Sequence, residues 1–349
     1  MQQTLYYLSI MVIIFTLVPL IRHDFWIFRV FEYPRLQKLI LNFVLIVLNL
    51  FFLPGDTFEI VVFLLLVANL AYLIYQIFPF TILGRKQIVT AKKPVGQNNI
   101  ALLIANVYQY NKASDSYLKL IQKCNPDVIL LVETNKWWQD QIDVIGNRYP
   151  YQLKMPLANT YGMIFYSRLE LRNGSINFLV EDDIPSIQVD VKLNSGQWIR
   201  LYGLHPQPPV PQENPRSTER DKEILMIAEV AKTCTLPVIV MGDLNDVAWS
   251  YTTELFSKVS GLLDPRRGRG FFNSFNAKYF FLRFPLDHIF CSTDFALSGM
   301  ERMNSCGSDH FPMCINLQYD PKVENLNEAP VARESDLELA EEKINAPTD

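Results

Sequence analysis

The fold is decided by the stretch Pro126-Asp-Val-Ile-Leu-Leu-Val-Glu133. Its centre is a run of β-branched and aliphatic residues, which is typical of a strand buried on both faces. The segment 116–124 before it has helical spacing, and the run itself ends in a carboxylate. The same order recurs downstream, where an amphipathic segment at 219–233 precedes Leu236-Pro-Val-Ile-Val-Met-Gly-Asp-Leu-Asn245. The sequence therefore predicts a domain in which helices and buried strands alternate.

Further strands are predicted on both sides of these two stretches. The strict alternation of apolar and polar residues over 187–193 indicates a half-buried strand. The remaining runs of strand length are 100–107, 163–166, 198–204, 286–292 and 313–317. Many strands with interspersed helices favour two packed sheets flanked by helices, although periodicity alone leaves a single doubly wound sheet open.

Most of these strands end in a polar residue. One such residue is ordinarily a cap or a turn residue. Several convergent acids, amides and histidines, however, are what the hydrolysis of a phosphate ester requires, because carboxylates hold a hard divalent cation and histidine supplies proton transfer or an oxyanion contact. The residues concerned are Asn106, Glu133, His205, Asp243, Asn245, Asp287, Asp309 and His310.

The ordered set of motifs resembles the endonuclease/exonuclease/phosphatase family, whose fold is that of deoxyribonuclease I. The resemblance extends over about 98–319 and implies an α/β domain built as a four-layered sandwich with two packed mixed sheets. It also implies a metal-dependent hydrolase acting on phosphate ester bonds. The motifs are Asn106, the 126–133 stretch, Tyr161-Gly-Met-Ile-Phe-Tyr-Ser-Arg168, His205, Gly242-Asp-Leu-Asn245, Pro285-Leu-Asp-His-Ile-Phe290 and Ser308-Asp-His310.

The resemblance implies a magnesium site, with Mn²⁺ able to take the place of Mg²⁺. Glu133 would be the principal metal ligand, Asn106 would lie beside it, and Asp309 would be a second carboxylate on the metal side. Two of these residues have a plainer interpretation from sequence alone. Asn106 is also explained as a turn residue at the end of a strand, and Asp309 as a cap of the turn before the last strand.

The resemblance assigns the chemical steps to five other residues. Asp243 would orient or deprotonate the attacking water, and Asn245 would hold that water and the phosphate. His310 would contact the scissile phosphate, with Asp287 beside its imidazole. His205 would be a further phosphate contact or the general acid for the leaving oxygen.

Other candidate residues are interpreted as structural. His288 directly follows Asp287, which already occupies the motif position, so a structural role is expected for it. Cys306 and His310 together suggest zinc, but no second Cys/His pair at a suitable spacing accompanies them.

The first 84 residues have a different composition from the rest. Across the chain, 49% of residues are hydrophobic and only 19% are charged, against about a quarter in a typical soluble protein. We predict a small bundle of three transmembrane helices at about 5–21, 37–53 and 59–80, because uncharged apolar runs of about 20 residues span a bilayer. The first two runs are short, so buried or re-entrant helices remain an alternative for them.

The positions of Lys and Arg predict the orientation. The loop 22–38 and the segment after the third helix are basic, whereas the turn 54–57 is not. By the positive-inside rule, the chain is an integral protein of a bacterial-type inner or plasma membrane with a cytoplasmic catalytic domain. Five cysteines without paired spacing agree with a reducing compartment. Residues 85–97 are interpreted as a linker and residues 320–349 as an acidic disordered tail with a short helical tendency at 334–344.

The substrate is less constrained than the chemistry. Residues 95–319 carry 21 basic and 23 acidic residues, a net charge of −2, so no cationic surface for duplex nucleic acid is evident. The basic segment 266–270 is either a solvated loop or a contact for a phosphate or an anionic headgroup near the cleft. The sequence predicts a membrane-anchored Mg²⁺-dependent phosphodiesterase acting on nucleic acid or a lipid headgroup, with the bilayer and that substrate as partners and no obligate protein partner. The alternative is an inactive, membrane-tethered binding or scaffolding module.

Overall fold

The structure is a computed structural model that describes residues 2–52, 55–92 and 96–348. Leu53 at the end of the predicted second span, Pro54 of the predicted external turn, residues 93–95 of the predicted linker and the last residue of the tail therefore lie outside the described residues. The helices are α1 (Gln2–Leu17), α2 (Trp26–Arg29), α3 (Arg35–Phe51), α4 (Thr57–Ile77), α5 (Ser114–Cys124), α6 (Lys136–Ile142), α7 (Thr218–Thr233), α8 (Tyr251–Ser260) and α9 (Glu334–Asn345).

Eleven strands are described, and they form two mixed sheets. The six-stranded sheet has the order β10-β11-β1-β2-β4-β3, and the five-stranded sheet has the order β5-β6-β7-β8-β9. The strands are β1 (Asn99–Asn106), β2 (Val128–Val132), β3 (Tyr151–Met155), β4 (Met163–Ser167), β5 (Leu171–Asn177), β6 (Ser186–Lys192), β7 (Trp198–Leu204), β8 (Val238–Asp243), β9 (Asp287–Cys291), β10 (Phe295–Arg302) and β11 (Met313–Tyr319).

The two sheets pack face to face through a buried apolar core drawn from both of them. Helices α5 and α6 cover the outer face of the larger sheet, and α7, α8 and α9 cover that of the smaller one. This arrangement confirms the predicted four-layered sandwich. The central strands carry long apolar runs because both of their faces are buried.

The N-terminal helices form a bundle whose interior contains asparagine and serine side chains beside an apolar cluster, and whose exterior is mostly apolar. Asn69 donates from Nδ2 to Asn42 Oδ1 at 2.8 Å, and Asn42 donates to the Leu66 carbonyl at 3.0 Å. Asn49 donates to Ser9 Oγ at 3.4 Å. The outward side chains of α1, α3 and α4 are instead mostly exposed and apolar.

Two helical stretches, Gln3–Ile21 and Thr57–Phe80, are long and apolar enough to cross a membrane. The third helix, Arg35–Phe51, is long and apolar enough only together with Trp26–Glu32, and the two helices are bent by 68° relative to each other. The bend separates a short helix in the predicted loop 22–38 from the predicted second span. The C-terminal ends of α1 and α4 and the N-terminal end of α3 lie towards the catalytic domain. The chain next to each of these ends contacts that domain.

The loop between α1 and α3 packs on the catalytic domain through buried charges. Arg29 lies 3.2 Å from Glu32 and 3.5 Å from Asp246, measured between their charged atoms. Arg220 in turn lies 2.8 Å from Asp221 and 3.3 Å from the same Asp246. We call the whole set the junction network, and it consists of Asp24, Arg29, Glu32, Arg35, Arg220, Asp221, Asp246 and Lys343.

The prediction of a disordered tail is wrong. Helix α9 packs against α7 and α8, and Lys343 donates to Asp24 at 2.8 Å and to Asp221 at 2.9 Å. The low apolar content of the tail is offset by these ion pairs, whose partners are distant in the sequence.

Part of the predicted linker also belongs to the domain. Ala91 N donates to the Leu297 carbonyl at 2.9 Å, Leu297 N donates to the Val89 carbonyl, and Ile88 is fully buried in the core. These contacts form because the linker contains apolar residues that extend the edge of the larger sheet beside β10.

Candidate active site

Strand direction brings the predicted polar residues to one edge of both sheets. Parallel strands β1 and β2 end at Asn106 and just before Glu133, and parallel strands β7 and β8 end just before His205 and at Asp243. Strand β9 runs antiparallel to β8, so its first residue, Asp287, lies opposite Asp243. Strand β11 runs antiparallel to β1, so its beginning lies at this edge as well. We call the resulting cluster the polar pit, and it consists of Asn106, Glu133, His205, Asp243, Asp287 and His310.

One side of the polar pit is built around an amide between two carboxylates. Asn106 donates from Nδ2 to Glu133 Oε1 at 2.7 Å and to Asp243 Oδ2 at 3.0 Å. Its Oδ1 accepts from Tyr108 N at 2.9 Å, which fixes the orientation of the amide. Asn106 thus links the ends of the two sheets.

The other side is a chain of a histidine between two aspartates. His310 Nδ1 lies 2.8 Å from Asp287 Oδ2, and His310 Nε2 lies 3.5 Å from Asp243 Oδ2. Potential ligand atoms of these three residues all lie within 4.8 Å of one another. His205 Nε2 lies 3.9 Å from the same Asp243 oxygen, so Asp243 is the centre of the pit.

The two histidines have opposite protonation. Burial alone would lower the pKa of His310, but Asp243 and Asp287 raise it to about 10, so this ring is protonated at neutral pH. Burial lowers the pKa of His205 to about 4, because Asp243 opposes this shift only in part. His205 is therefore neutral at pH 7, which disfavours the predicted role as a general acid and leaves that of a phosphate contact.

The carboxylates are short of positive charge. Burial raises the pKa of Glu133 to about 7, and nearby Asp243 and Asp309 act in the same direction. Burial also raises the pKa of Asp243. Asp287 Oδ1 and His205 Nδ1 are buried and have no hydrogen-bond partner among the described residues. Oxygen donors with a surplus of negative charge fit a divalent cation, so the residues present fit the metal that the resemblance implies.

Backbone geometry aims two of the predicted residues. Glu133 and Asn245 have φ angles of 57° and 50°, in the left-handed region that residues other than glycine seldom adopt. At Gly242 a side chain is excluded, because a Cβ would lie 1.9 Å from the Leu204 carbonyl oxygen. The close approach of β8 to the end of β7 therefore requires the glycine of Gly242-Asp-Leu-Asn245.

Two predicted residues lie at the edge of the polar pit. Asp309 is half-buried, and its carboxylate accepts only from Ser308 Oγ, at 3.4 Å, among the described residues. Asn245 directs its Nδ2 to the Pro206 carbonyl at 2.9 Å, and its backbone N donates to Asp243 Oδ1 at 3.0 Å. Asn245 therefore positions Asp243 as well as lying next to it.

His288 and the basic segment 266–270 lie outside the polar pit. His288 Nδ1 is 2.6 Å from Arg266 Nη2, and its Nε2 is 2.8 Å from the Asp246 carbonyl oxygen. Arg266 is fully buried and donates to Asp264, so it is neither a solvated residue nor a phosphate contact. Both have a structural role, which agrees with the prediction for His288 and corrects the one for Arg266.

No sequence pattern indicated the residues that hold the loop after Asp243. The Asn245 carbonyl accepts from Tyr33 Oη at 2.7 Å and from Arg220 Nη1 at 2.8 Å. The Phe275 ring lies against His310 with centroids 5.0 Å apart. Tyr33 lies in the loop between the predicted spans, where the sequence shows only a basic character, so no local pattern points to the site.

Comparisons with known proteins agree with this geometry. A sequence profile of the Endonuclease/Exonuclease/phosphatase family matches residues 99–310. No curated protein sequence matches the chain significantly.

Several solved structures share the fold at low sequence identity. D. rerio TDP2 complexed with single strand DNA product has a TM-score of 0.53 at 16% identity, over 63% of this chain and 99% of that chain. The human Nocturnin catalytic domain with bound sulfate anion has a TM-score of 0.51 at 15% identity, over 65% and 96%. An endonuclease/exonuclease/phosphatase family protein from Bacteroides thetaiotaomicron has a TM-score of 0.51 at 17% identity, over 64% and 98%.

The profile match extends from β1 to His310 and thus includes every residue of the polar pit. The chain belongs to the endonuclease/exonuclease/phosphatase family and is a metal-dependent hydrolase of phosphate ester bonds.

Proposed function

We propose that the chain is a membrane-anchored, Mg²⁺-dependent phosphodiesterase whose catalytic residues are those of the polar pit and its edge. The observation that carries this proposal is the position of Asp243, which lies within 4 Å of Asn106, His205 and His310 at the meeting point of the two sheets. An inactive scaffold would have no need to maintain a buried, negatively charged cluster at this cost in stability.

The metal would be held by Glu133, with Asn106 beside it and Asp309 at the edge. Mg²⁺ bound there supplies a positive charge to phosphoryl oxygens and lowers the pKa of water. The raised pKa of Glu133 supports this assignment, because it results mainly from burial and in part from Asp243 and Asp309, and a bound cation would stabilise the ionised carboxylate. Mn²⁺, with similar preferences for oxygen donors, would substitute.

The other residues of the site would act on the substrate directly. His310, kept protonated by Asp287 and Asp243, would donate a hydrogen bond to a phosphate oxygen. Asp243 would accept a proton from the attacking water or orient it, since its carboxylate is held by Asn106 and by Asn245 N. Neutral His205 would donate a further hydrogen bond to the phosphate, and Asn245 would contact the phosphate from the edge.

Membrane anchoring is supported by the apolar exterior of the N-terminal bundle and by the polar contacts inside it. Buried Asn42, Asn49 and Asn69 bond between helices, while the exposed residues are predominantly apolar. Hydrogen bonds from side-chain amides to a neighbouring helix are typical of membrane helices. A bundle surface of exposed leucine, isoleucine and phenylalanine is unfavourable in water. By the positive-inside rule, the catalytic domain lies in the cytoplasm.

Aromatic residues with cationic partners are close in sequence to the polar pit, because Tyr108 is two residues after Asn106 and Phe311 directly follows His310. Lys278 lies 4.8 Å from the Tyr108 ring centroid, and Arg283 and Arg302 lie 4.9 and 4.3 Å from that of Phe311. Such groups suit a phosphodiester with a flanking base or a flanking lipid. D. rerio TDP2 is complexed with a DNA product, which favours including nucleic acid among the substrates. Anchoring favours lipid headgroups, because they are always close to the site.

The test is a substrate panel on the full chain in lipid nanodiscs. The full chain is required because the junction network contributes residues from both ends of the chain to the catalytic domain. The panel contains supercoiled and single-stranded DNA, RNA, sphingomyelin and phosphoinositides, each with Mg²⁺ and with chelator. The Asp243→Asn variant is the matched control. We expect Mg²⁺-dependent hydrolysis of one class that this variant lacks, and hydrolysis of none would contradict the proposal.

Anchoring and orientation are tested separately. A reporter fused to the C-terminus is expected to behave as cytosolic, and the chain is expected to stay in the membrane fraction after alkaline carbonate extraction. Export of the reporter would reverse the orientation, and release by carbonate would contradict anchoring.

A further inference from the structure

A cavity of about 300 Å³ lies between the helix bundle and the catalytic domain. Its walls come from both parts. The bundle contributes the residues that follow α1 and the last turns of α4, including Pro19, Tyr72 and Tyr75, and the catalytic domain contributes Trp249 and Tyr251. None of the polar pit residues lines it. We call it the junction cavity, and the reaction proposed above makes no use of it.

The junction cavity has a surplus of positive charge. Arg22, Arg35 and Arg267 line it together with Glu32 and Glu254. Both acids already have cationic partners, because Glu32 pairs with Arg29 and Arg35, and Glu254 lies 3.2 Å from Lys258. The charges of Arg22 and Arg267 are therefore left without a carboxylate within the part of the chain that the structure describes.

Arg267 has a buried donor that makes no hydrogen bond to the described residues. Its guanidinium lies 5.2 Å from the Phe80 ring centroid, and its Nε is buried without a hydrogen-bond partner among the described residues. A buried guanidinium donor that lacks an acceptor costs free energy, and an anion with several oxygens supplies the missing acceptor. Arg22, with its guanidinium 5.9 Å from the Tyr251 ring centroid, also lines the cavity, from the bundle part.

The cavity is placed at the level where lipid headgroups lie if the bundle is in a bilayer. Tyr75 lines the cavity and is 77% exposed, so the cavity opens on the outer surface of the bundle. Next to it, Leu20, Ile74 and Phe78 are exposed apolar residues at the ends of α1 and α4. Tyrosine is typical of the membrane interface, and the apolar side chains beyond it suit acyl chains.

We propose that the junction cavity binds the phosphate of an anionic phospholipid, with Arg267 and Arg22 on the phosphate and the acyl chains along α1 and α4. The proposal rests on the membrane anchoring proposed above. The bound headgroup would join the anchor to the catalytic domain at Trp249, whose carbonyl accepts from Arg35 Nη1 at 2.5 Å. This lipid is held by arginines at the junction and is distinct from a substrate in the polar pit.

The test measures thermal unfolding of the detergent-solubilised full chain with added lipid. Phosphatidylglycerol is expected to raise Tm by at least about 2 °C, as a ligand specific to the folded state does. Phosphatidylcholine with the same acyl chains and inorganic phosphate are the comparison ligands. The expected result is a shift with phosphatidylglycerol alone.

Variants distinguish the cavity from general attraction to basic residues. Arg267→Gln is expected to remove the shift, or to weaken apparent lipid affinity at least tenfold. Arg85→Gln is the matched control, because Arg85 is an exposed arginine near the bundle that does not line the junction cavity, and it is expected to keep the shift. If Arg267→Gln fails to fold, Arg22→Gln replaces it, with the same expected loss.

Each other outcome overturns the proposal. An equal shift with inorganic phosphate would assign the cavity to free phosphate, and an equal shift with phosphatidylcholine would remove the role of charge. An unchanged shift in Arg267→Gln, or in Arg22→Gln where it replaces that variant, would place the lipid elsewhere. Failure of the anchoring itself is seen in the carbonate extraction and not in this measurement, so the two failures are distinguishable.

Discussion

The polar pit and the junction network are both buried clusters of charged side chains, and Asp243 of the first is only three residues from Asp246 of the second. They differ in charge balance. The pit contains three acidic residues, Glu133, Asp243 and Asp287, and one positively charged residue, the protonated His310. The network contains equal numbers of acidic and basic residues. The four acids are Asp24, Glu32, Asp221 and Asp246, and the four bases are Arg29, Arg35, Arg220 and Lys343.

The pKa of Asp221 expresses the same difference, whereas burial still raises the pKa of Glu32 despite nearby Arg29 and Arg35. In the pit, burial raises the pKa values of Glu133 and Asp243, and the protein supplies too little positive charge to reverse the effect. In the network, burial alone would raise the pKa of Asp221, but Lys343, Arg220 and Arg29 lower it well below its usual range. A buried acidic cluster without internal compensation is expected where an external cation binds, and a compensated cluster is expected to hold the fold together.

The largest expected effect comes from substitutions in the polar pit. Asp243→Asn and His310→Ala are each expected to lower Mg²⁺-dependent hydrolysis of a model phosphodiester by about 10²–10⁴-fold, the usual contribution of a proton-transfer or oxyanion group. The measurement is the initial rate with bis(4-nitrophenyl) phosphate. Because Asp243→Asn removes a charge from a cluster with a negative surplus, its Tm is expected to equal or exceed that of the wild type.

Retention of full activity in either variant would remove the residue from the reaction. A large loss of Tm in Asp243→Asn would instead show that the negative charge of the pit is balanced within the protein, as it is in the network. The proposed difference in charge balance between the two clusters would then be contradicted.

A substitution in the junction network is expected to change stability before chemistry. Arg29→Ala leaves Asp246 and Glu32 buried with less positive charge, which is expected to cost about 3–5 kcal/mol in the free energy of unfolding. The measurement is chemical denaturation of the full chain in detergent. The matched control is Lys192→Ala, which breaks the exposed pair with Glu170 and is expected to cost less than about 1 kcal/mol. Equal losses in the two variants would show that the network is no more than surface pairing.

The polar pit could be predicted from the sequence because its residues lie at strand ends. Buried runs reveal the central strands, and parallel neighbours end at one edge, so a polar residue that follows such a run is expected at that edge. This pattern identifies Glu133 and Asp243. It does not give the orientation of their side chains, because the bridge through Asn106 depends on how the two sheets pack.

The strands that sequence reasoning missed are β3, β5 and β10, and all three lie at sheet edges. An edge strand has fewer neighbours to bury it, so its sequence needs no continuous apolar run. Strand β5, Leu171–Asn177, contains mainly polar residues and is largely exposed or half-buried. Helices α6 and α8 were missed as well, and of the two only α6, with seven residues, is too short to show a helical period.

The junction network could not be predicted because its pairs are distant in sequence. Arg29 and Asp246 are 217 residues apart, and Lys343 and Asp24 are 319 residues apart. Each residue taken alone resembles a surface charge. A local pattern therefore interprets Arg29 as a topology signal and the segment around Lys343 as a disordered tail.

Acid is expected to affect the two clusters in opposite ways. As the pH falls below about 7, Glu133 takes up a proton that Mg²⁺ must displace, so the apparent Kd for Mg²⁺ is expected to rise by about tenfold per pH unit. The folded pKa of Glu133 exceeds its reference value of 4.5, so its contribution to metal-free stability is fully present below pH 4.5 and is lost as the pH rises through 7.

Asp221 has the opposite sign. Its folded pKa is depressed, so its contribution to stability is present above its reference pKa of 3.8 and is lost as the pH falls below that value. Calorimetric Mg²⁺ titration between pH 5.5 and 8 tests the first effect, with Glu133→Gln as the control that lacks the pH dependence. A Kd for Mg²⁺ that does not change over this range would contradict the assignment of Glu133 as a ligand.

The smallest expected effect comes from the C-terminal end of the junction network. Lys343→Met keeps most of the aliphatic packing of the side chain but removes its bonds to Asp24 and Asp221, and the loss is expected to be about 1.5–3 kcal/mol, as for hydrogen bonds to charged groups. The loss is expected to be smaller than for Arg29→Ala because Arg29 lies near three buried carboxylates, whereas one of the two partners of Lys343, Asp24, is partly exposed. The measurement is again chemical denaturation, with activity at low temperature expected to stay near that of the wild type. An undiminished free energy of unfolding would mean that α9 is held by its apolar contacts alone, and the network would then end at Arg220.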